Sequence, residues 1–390
     1  ETRAELWARA AEPINRTNTV LVENRTDVEI LNEDVAAINP DTGNEFVFRH
    51  VDPSVGANGI AVGATINFEP VLEEALRREG TFEDPLSTIA QAANVADANA
   101  DNIIFVQEGN AGGGFTLPDG VQVRAVGPVQ QLTTQFGDVI LPGSGSGNLP
   151  TVTGTVNVGN NSLISGLEID PTARQVEEIE ELLEIAAVQQ IVNGIVVRGE
   201  NVAIEDNVIA NVDRGINLPD IDGTISIVRN QISDTTREGI FFGDIDGTDN
   251  AKVTIADNSL DTLGDVGIEF DFIADDAIAN IEVVNNQITN AQDDGIFFDN
   301  ITDRAVATID ISENVITGGK DGIDFDFITD DANATITVNN NQISDVIFEG
   351  IDFNDIEGDV VATIAVTGNQ VSSAQTSIEF NEIENRANAN

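Results

Sequence analysis

The sequence predicts an all-β solenoid, a parallel β-helix with a capping N-terminal segment and one lateral helix insertion. Three observations carry this expectation. One pattern of 27 or 28 residues is written six times between positions 225 and 390. Within each copy the apolar residues alternate with a period of two, which is the period of a strand with one buried face. No copy holds a helical run of ten or more apolar-periodic residues, so a leucine-rich horseshoe is disfavoured, and a propeller blade needs about 40 residues or more.

The copies are 225–252, 253–280, 281–308, 309–335, 336–363 and 364–390. Each opens on an apolar-x-apolar pair, such as Ile281-Glu-Val283. An Asn follows, with an aliphatic residue two places later: Asn230/Ile232, Asn258/Leu260, Asn286/Ile288, Asn314/Ile316, Asn341/Ile343 and Asn369/Val371. A Gly-Ile-x-Phe box closes the copy at 239–242, 267–270, 295–298, 322–325 and 350–353, degraded to Ser377-Ile-Glu-Phe380 in the sixth. A looser copy precedes them, with Asn207/Ile209 and Gly215-Ile-Asn-Leu218. Three short strands per copy fit a three-sided coil, each strand pairing with its equivalent about 4.8 Å away in the next copy. Ile240, Ile268, Ile296, Ile323, Ile351 and Ile378 are then one interior column. Phe242, Phe270, Phe298, Phe325, Phe353 and Phe380 are a second, with Leu218 upstream. Asn230, Asn258, Asn286, Asn314, Asn341 and Asn369 are a third, at a corner, where each amide bonds the amides above and below.

The repeated Gly-Ile-x-Phe and the Asp206-Asn-Val-Ile209 type of segment resemble the right-handed parallel β-helix repeats of pectate-lyase-like proteins and bacterial surface passengers. The resemblance covers residues 94–390. It implies a right-handed coil and leaves activity open, because that group includes lyases, hydrolases, adhesins and inert stalks. The coils here are a few residues longer, and the excess is expected in the acidic turn after Phe.

The N-terminal segment, residues 1–100, reads differently. Helices are expected at 5–11 and 70–80, and strands at 19–22 and 45–48, around the turn Asn39-Pro-Asp-Thr-Gly43. The stretch from Phe46 through Gly80-Thr-Phe-Glu-Asp-Pro85 to Asp101 resembles the region that leads into the first coil of bacterial surface β-helix proteins. Ser87 is read as the N-cap of a helix through Ala98, with Ile89, Ala92, Ala93 and Val95 on one side. Such a helix can plug the open end of the solenoid. From Asn102 the β alternation starts, at 103–106, 121–123, 139–141, 156–158 and 163–164, with Gly143-Ser-Gly-Ser-Gly147 as a surface loop. Residues 172–190 form the one strong helical pattern: Val176, Ile179, Leu182, Leu183, Ala186 and Ala187 share a face opposite a glutamate-rich one. It reads as an insertion bracing the outside of the coils, and 195–197 resumes them.

Composition narrows the function. The 68 acidic and 17 basic residues give a formal charge of −51, a surface that rejects nucleic acid and anionic membranes. No stretch of 18 apolar residues is present, so no membrane span is expected. Cysteine is absent, so disulfides contribute nothing. The chain begins at Glu1 without Met, which points to a piece cut from a longer precursor and is compatible with export.

The sole histidine is His50, far from the repeats. With no Cys, no Tyr and two lysines, thiol zinc sites and nucleophilic triads are not expected. The resembled lyases need an Arg or Lys base beside acidic calcium ligands, and the hydrolases an Asp trio with His and Lys. No local run of this sequence matches either set. An enzyme would break the pattern at one place, and this chain repeats it.

The acidic rows are the candidate site. Asp271, Asp299 and Asp326 stack one coil apart, flanked by Asn354 and Asn381. Glu269, Asp324, Asp352 and Glu379 form another row. The turns add Asp244, Asp246 and Asp249, then Asp275, Asp276, Asp303, Asp330 and Asp331. Like charges about 5 Å apart repel by roughly 1–2 kcal/mol per pair at an effective dielectric of about 40–80. Calcium, an oxygen-seeking ion, is the natural offset, and high salt is the alternative. The sequence therefore predicts an extracellular, cell-surface structural protein: a stalk, sheath or filament subunit that assembles with itself head to tail, with surface polysaccharide as the other partner class. A polysaccharide lyase or hydrolase, or a carbohydrate-binding adhesin, is the alternative on the same fold. Phe241 and Phe297, at positions where other coils carry Glu or Asp, are expected to be exposed.

Overall fold

The computed structural model describes residues 36–55, 80–96, 100–171, 192–247, 249–383 and 388–389. The helices read at 5–11 and 172–190 and the strand at 19–22 lie outside the described residues, as does the helix read at 70–80 apart from Gly80.

The chain winds into a parallel β-helix solenoid of three sheets. The first has 12 strands, from Phe46–Val51 to Asn388–Ala389, the second nine and the third ten. Their pairings are all parallel, and each coil contributes one strand per sheet. The register is the one that the repeat dictates. Ile225, Val253, Ile281, Ile309, Ile336 and Ile364 lie opposite one another along the first sheet. On the third sheet Ile240 pairs with Ile268, then Ile296, Ile323, Ile351 and Ile378, and Leu218 leads the Phe column.

Five successive ring pairs from Phe242 to Phe380 stack with centroids between 4.3 and 4.9 Å apart and nearly parallel planes. A one-residue slip would turn every ring outward, so the Phe column fixes the register as well as filling the core.

The Asn column is a continuous ladder, and it begins one coil early, at Asn207. Asn286 shows the pattern: its backbone N–H and its Nδ2 both donate to Asn314 Oδ1, at 2.9 and 3.0 Å, and Nδ2 also donates to the Ile255 carbonyl at 2.9 Å. The residue before each ladder Asn sits at positive φ: Asp206, Arg229, Asp257, Asn285, Glu313 and Asn340. That conformation is costly for an arginine or glutamate, and the buried amide network over-determines it.

Glycine in the Gly-Ile-x-Phe box answers a lack of space. A Cβ on Gly295 would lie 2.5 Å from Ile316 Cγ2 and 2.6 Å from the Gly322 carbonyl oxygen. Here the second sheet's aliphatic column presses against the backbone of the third.

At the N-terminal end, helix α1 (Ile89–Val95) lies against the first strands. Ile89, Ala92 and Ala93 are buried in the same core as Val106 and Leu117. Two details of the sequence reading are corrected. The N-cap is Thr88, whose side chain accepts from the Gln91 N–H, while Ser87 donates its hydroxyl to Gln91 Oε1. Val95 is exposed, because it sits at the helix end beyond the apolar face. The alternation at 139–141 is also not a coil strand. Gln131–Thr134 and Gly137–Ile140 form an antiparallel hairpin, and Leu132 and Leu141 help close a small second core with Phe46, Phe48 and Phe105. His50 packs among Phe48, Phe82 and Phe105, and burial holds its pKa down.

Candidate functional site: a carboxylate cluster on the third sheet

The interior-facing Ile and Phe of the third sheet leave the residue between them on the outer face. Register makes a column there: Phe241, Glu269, Phe297, Asp324, Asp352, Glu379. Two residues further along each strand a second column runs through Asp271, Asp299 and Asp326. A third comes from the residue just before the box glycine: Arg214, Glu238, Val266, Asp294, Asp321, Glu349. Tight packing at the glycines draws this third column against the first.

Where the columns meet, Asp294, Asp321 and Asp324 each bring a carboxylate oxygen to within 4.8 Å of the others. Asp294 and Asp324 are buried. Neutral donors aim the group. Asp294 Oδ1 accepts the Asp321 N–H at 3.0 Å, Asp321 Oδ1 accepts the Glu349 N–H at 2.6 Å, and Asn354 Nδ2 donates to Asp324 Oδ1 at 3.2 Å. Asp352, directly across from Asp324 in the next coil, is only 6% exposed, and its Oδ1 is buried with no hydrogen-bond partner.

Burial, and after it the neighbouring negative charge, raises the proton affinity of four acids on this face. Burial, then Asp294, Asp352 and Asp321, push Asp324 up to about 8. Burial and the Asp293 charge push Asp294 up to about 7. Burial and Asp321 push Asp352 up to about 6. Glu269 is pushed up to about 8, first by burial and then by Glu238. Basic groups are few. Arg214 and Arg237 both pair with Glu238, and Lys320 pairs with Asp293 at 2.7 Å.

The structure thus divides the sequence-predicted residues. Asp324 belongs to the cluster, and Asp352 stands beside it, across from Asp324 in the register of the next coil. Asp271, Asp299 and Asp326 form the neighbouring column, where burial and then the two flanking aspartates push Asp299 up to about 6. Some coils away, Asp244 lies not in a turn but in the strand Ile240–Ile245, paired with Asp220 and Phe272; Asp246 and Asp249 lie in the turn after it, where the Asp246 N–H donates to Asp249 Oδ2 at 3.1 Å, a turn-closing bond. Several other turn acids answer a backbone demand. Asp275 with Asp276, and Asp330 with Asp331, are consecutive residues at positive φ, a conformation that Asp tolerates better than most residues. Phe241 and Phe297 are corrected. Phe241 is buried with the Arg214 guanidinium 3.7 Å above its ring, and Phe297 is half-buried between its neighbours in the column.

Sequence reasoning missed Asp294, Asp321 and Glu349. The signal was present, since an acid stands directly before the box glycine in four of the copies: Glu238, Asp294, Asp321 and Glu349. Among the described residues no helix is long and apolar enough to cross a membrane. No protein-family model, no curated protein and no solved structure matches this chain.

Proposed function

We propose that this chain is an extracellular structural protein, a stalk, sheath or filament subunit of the cell surface, built on the right-handed, pectate-lyase-like form of the β-helix. One observation carries the reading: the register runs without interruption from Ile225 to Phe380, coil on coil, with the same Ile, Phe and Asn columns. Each coil presents to the next the edges and columns that a further coil needs. The fold is therefore a template for axial addition, and head-to-tail self-assembly follows from it. The charge of −51 keeps such rods apart laterally, and cations, calcium among them, offset the repulsion along the acidic columns.

Negative-stain electron microscopy of the purified chain, with calcium and with chelator, tests this. Filaments with an axial repeat of one subunit are expected. Single rods in every condition would sink the filament reading.

A second reading, a polysaccharide lyase or hydrolase or a carbohydrate-binding adhesin, is favoured by the Asp294, Asp321 and Asp324 cluster, which breaks the repetition at one place. Paired carboxylates with raised proton affinity are the equipment of glycoside hydrolysis. Incubation with uronate polymers, scored by new reducing ends and unsaturated products, tests it against D324N.

A further inference from the structure

We infer that Asp294, Asp321, Asp324 and Asp352 form one discrete binding site for a divalent cation of calcium's size, distinct from the diffuse counterions of the acidic surface. Two independent observations point there. The first is the convergence of three carboxylate oxygens within 4.8 Å of one another. Ligands held about 2.3–2.6 Å from a shared calcium ion lie at most about 4.6–5.2 Å apart, so the spacing fits without rearrangement. The second is the buried, unpartnered Oδ1 of Asp352, a residue 6% exposed. Asp352 lies directly across from Asp324 in the register, and Asp321 is the acid whose charge acts on it most strongly. A buried polar atom without a partner is destabilising, more so when charged, and a cation held between Asp352 and the three carboxylates would supply the partner.

The surroundings suit an ion better than a salt bridge. Lys320 is committed to Asp293, and Arg214 and Arg237 to Glu238. The donors that orient the carboxylates are backbone N–H groups and the amide of Asn354, which fix direction without neutralising charge. Asp294, Asp321, Asp324 and Asp352 come from three successive coils, so a bound ion would also tie those coils together. Calcium is favoured over magnesium because the ligand set is rich in carboxylates, whereas magnesium keeps several waters and takes one or two carboxylates.

The inference refines the cation part of the proposed function but stands on the cluster's geometry alone. Single chains suffice for its test, so a failure to form filaments leaves it intact. Calcium chloride is titrated calorimetrically into the whole chain at fixed ionic strength, with magnesium chloride as competitor, and repeated on D324N, D352N and D299N. Circular dichroism checks that each variant folds; the Asn substitutions keep side-chain shape and remove repulsion. One saturable calcium per chain is expected, with affinity weakened about tenfold or more in D324N and D352N and unchanged in D299N. Absence of saturable binding to the unsubstituted chain overturns the site. Equal weakening in D299N overturns it too, because that result means diffuse screening.

Discussion

Asn286 has three neighbours that no apolar side chain could satisfy. The Asn258 N–H and Nδ2 both donate to its Oδ1, and its own Nδ2 reaches the Ile255 carbonyl and the Asn314 amide oxygen. Replacing Asn286 by Ala strands these groups in the core, each at about 1–3 kcal/mol. We expect N286A to lower the unfolding free energy read from chemical denaturation by about 2–5 kcal/mol, and a substitution at exposed Asn250 to leave it nearly unchanged. Glu269 makes the opposite kind of contribution. Its carboxyl titrates near 4.5 when free and at about 8 in the fold, raised by burial and then by Glu238, Asp271 and Asp265. The protonated form is the one that the fold tolerates. The stability linked to it is complete below the free value and is lost as pH climbs towards about 8. Metal-free protein should therefore melt higher at about pH 5 than at about pH 8.5, and E269Q should narrow that gap. An unchanged gap in E269Q would assign the pH dependence to other acids. The Asn and Phe columns were legible in the sequence because both depend only on a fixed spacing. The burial of Glu269 beside Phe241 and Phe297 was not, because it depends on how neighbouring outer columns cover one another.

At the scale of the element, the box glycine couples two sheets. Gly239, Gly267, Gly295, Gly322 and Gly350 each face the carbonyl of the next coil's equivalent residue at 2.3–2.7 Å from an added Cβ, together with an aliphatic side chain of the second sheet. None of these glycines has the positive φ that would make conformation the reason. The G295A variant should be destabilised by about 1–3 kcal/mol through overpacking, seen as a lower melting temperature. A neutral result would mean that the second and third sheets separate more easily than this packing implies. The same close approach sets the carboxylate cluster, since it brings the residue before each glycine against the outer column. Sequence spacing located the strands to within about three residues, the largest difference being the strand read at 45–48 and found at Phe46–Val51. It did not separate the hairpin of Gln131–Thr134 and Gly137–Ile140 from the coils, since period-two alternation reads alike whether the partner strand is parallel or antiparallel. It also placed the cap of α1 at Ser87, because Ser and Thr are both good caps and only the helix's exact start chooses Thr88.

For the whole molecule, self-repulsion is the dominant electrostatic fact. A formal charge of −51 on 390 residues, with acids lined up along strand columns, makes stability respond to screening. The Debye length falls from about 30 Å at 0.01 M salt to about 3 Å at 1 M. Melting temperature should therefore rise by several degrees as sodium chloride increases over that range. A flat response would show that the acids already hold their own protons or tightly bound cations. Calcium added at fixed ionic strength separates those two cases, since site binding stabilises by mass action and screening does not.

The sequence by itself determined the solenoid, its three-stranded coil, the interior Ile and Phe columns and the Asn ladder. Each follows from a constant repeat length and a two-residue period, both written in the order of residues along the chain. Tertiary structure alone decided which acids meet. Asp294 and Asp324 are 30 positions apart in the chain and belong to adjacent coils, and Asp352 stands across from Asp324 in a third coil. Whether such residues touch depends on the lateral offset of one coil over the next and on the glycine packing that closes the gap. Those are properties of the wound chain, and no local run of residues encodes them.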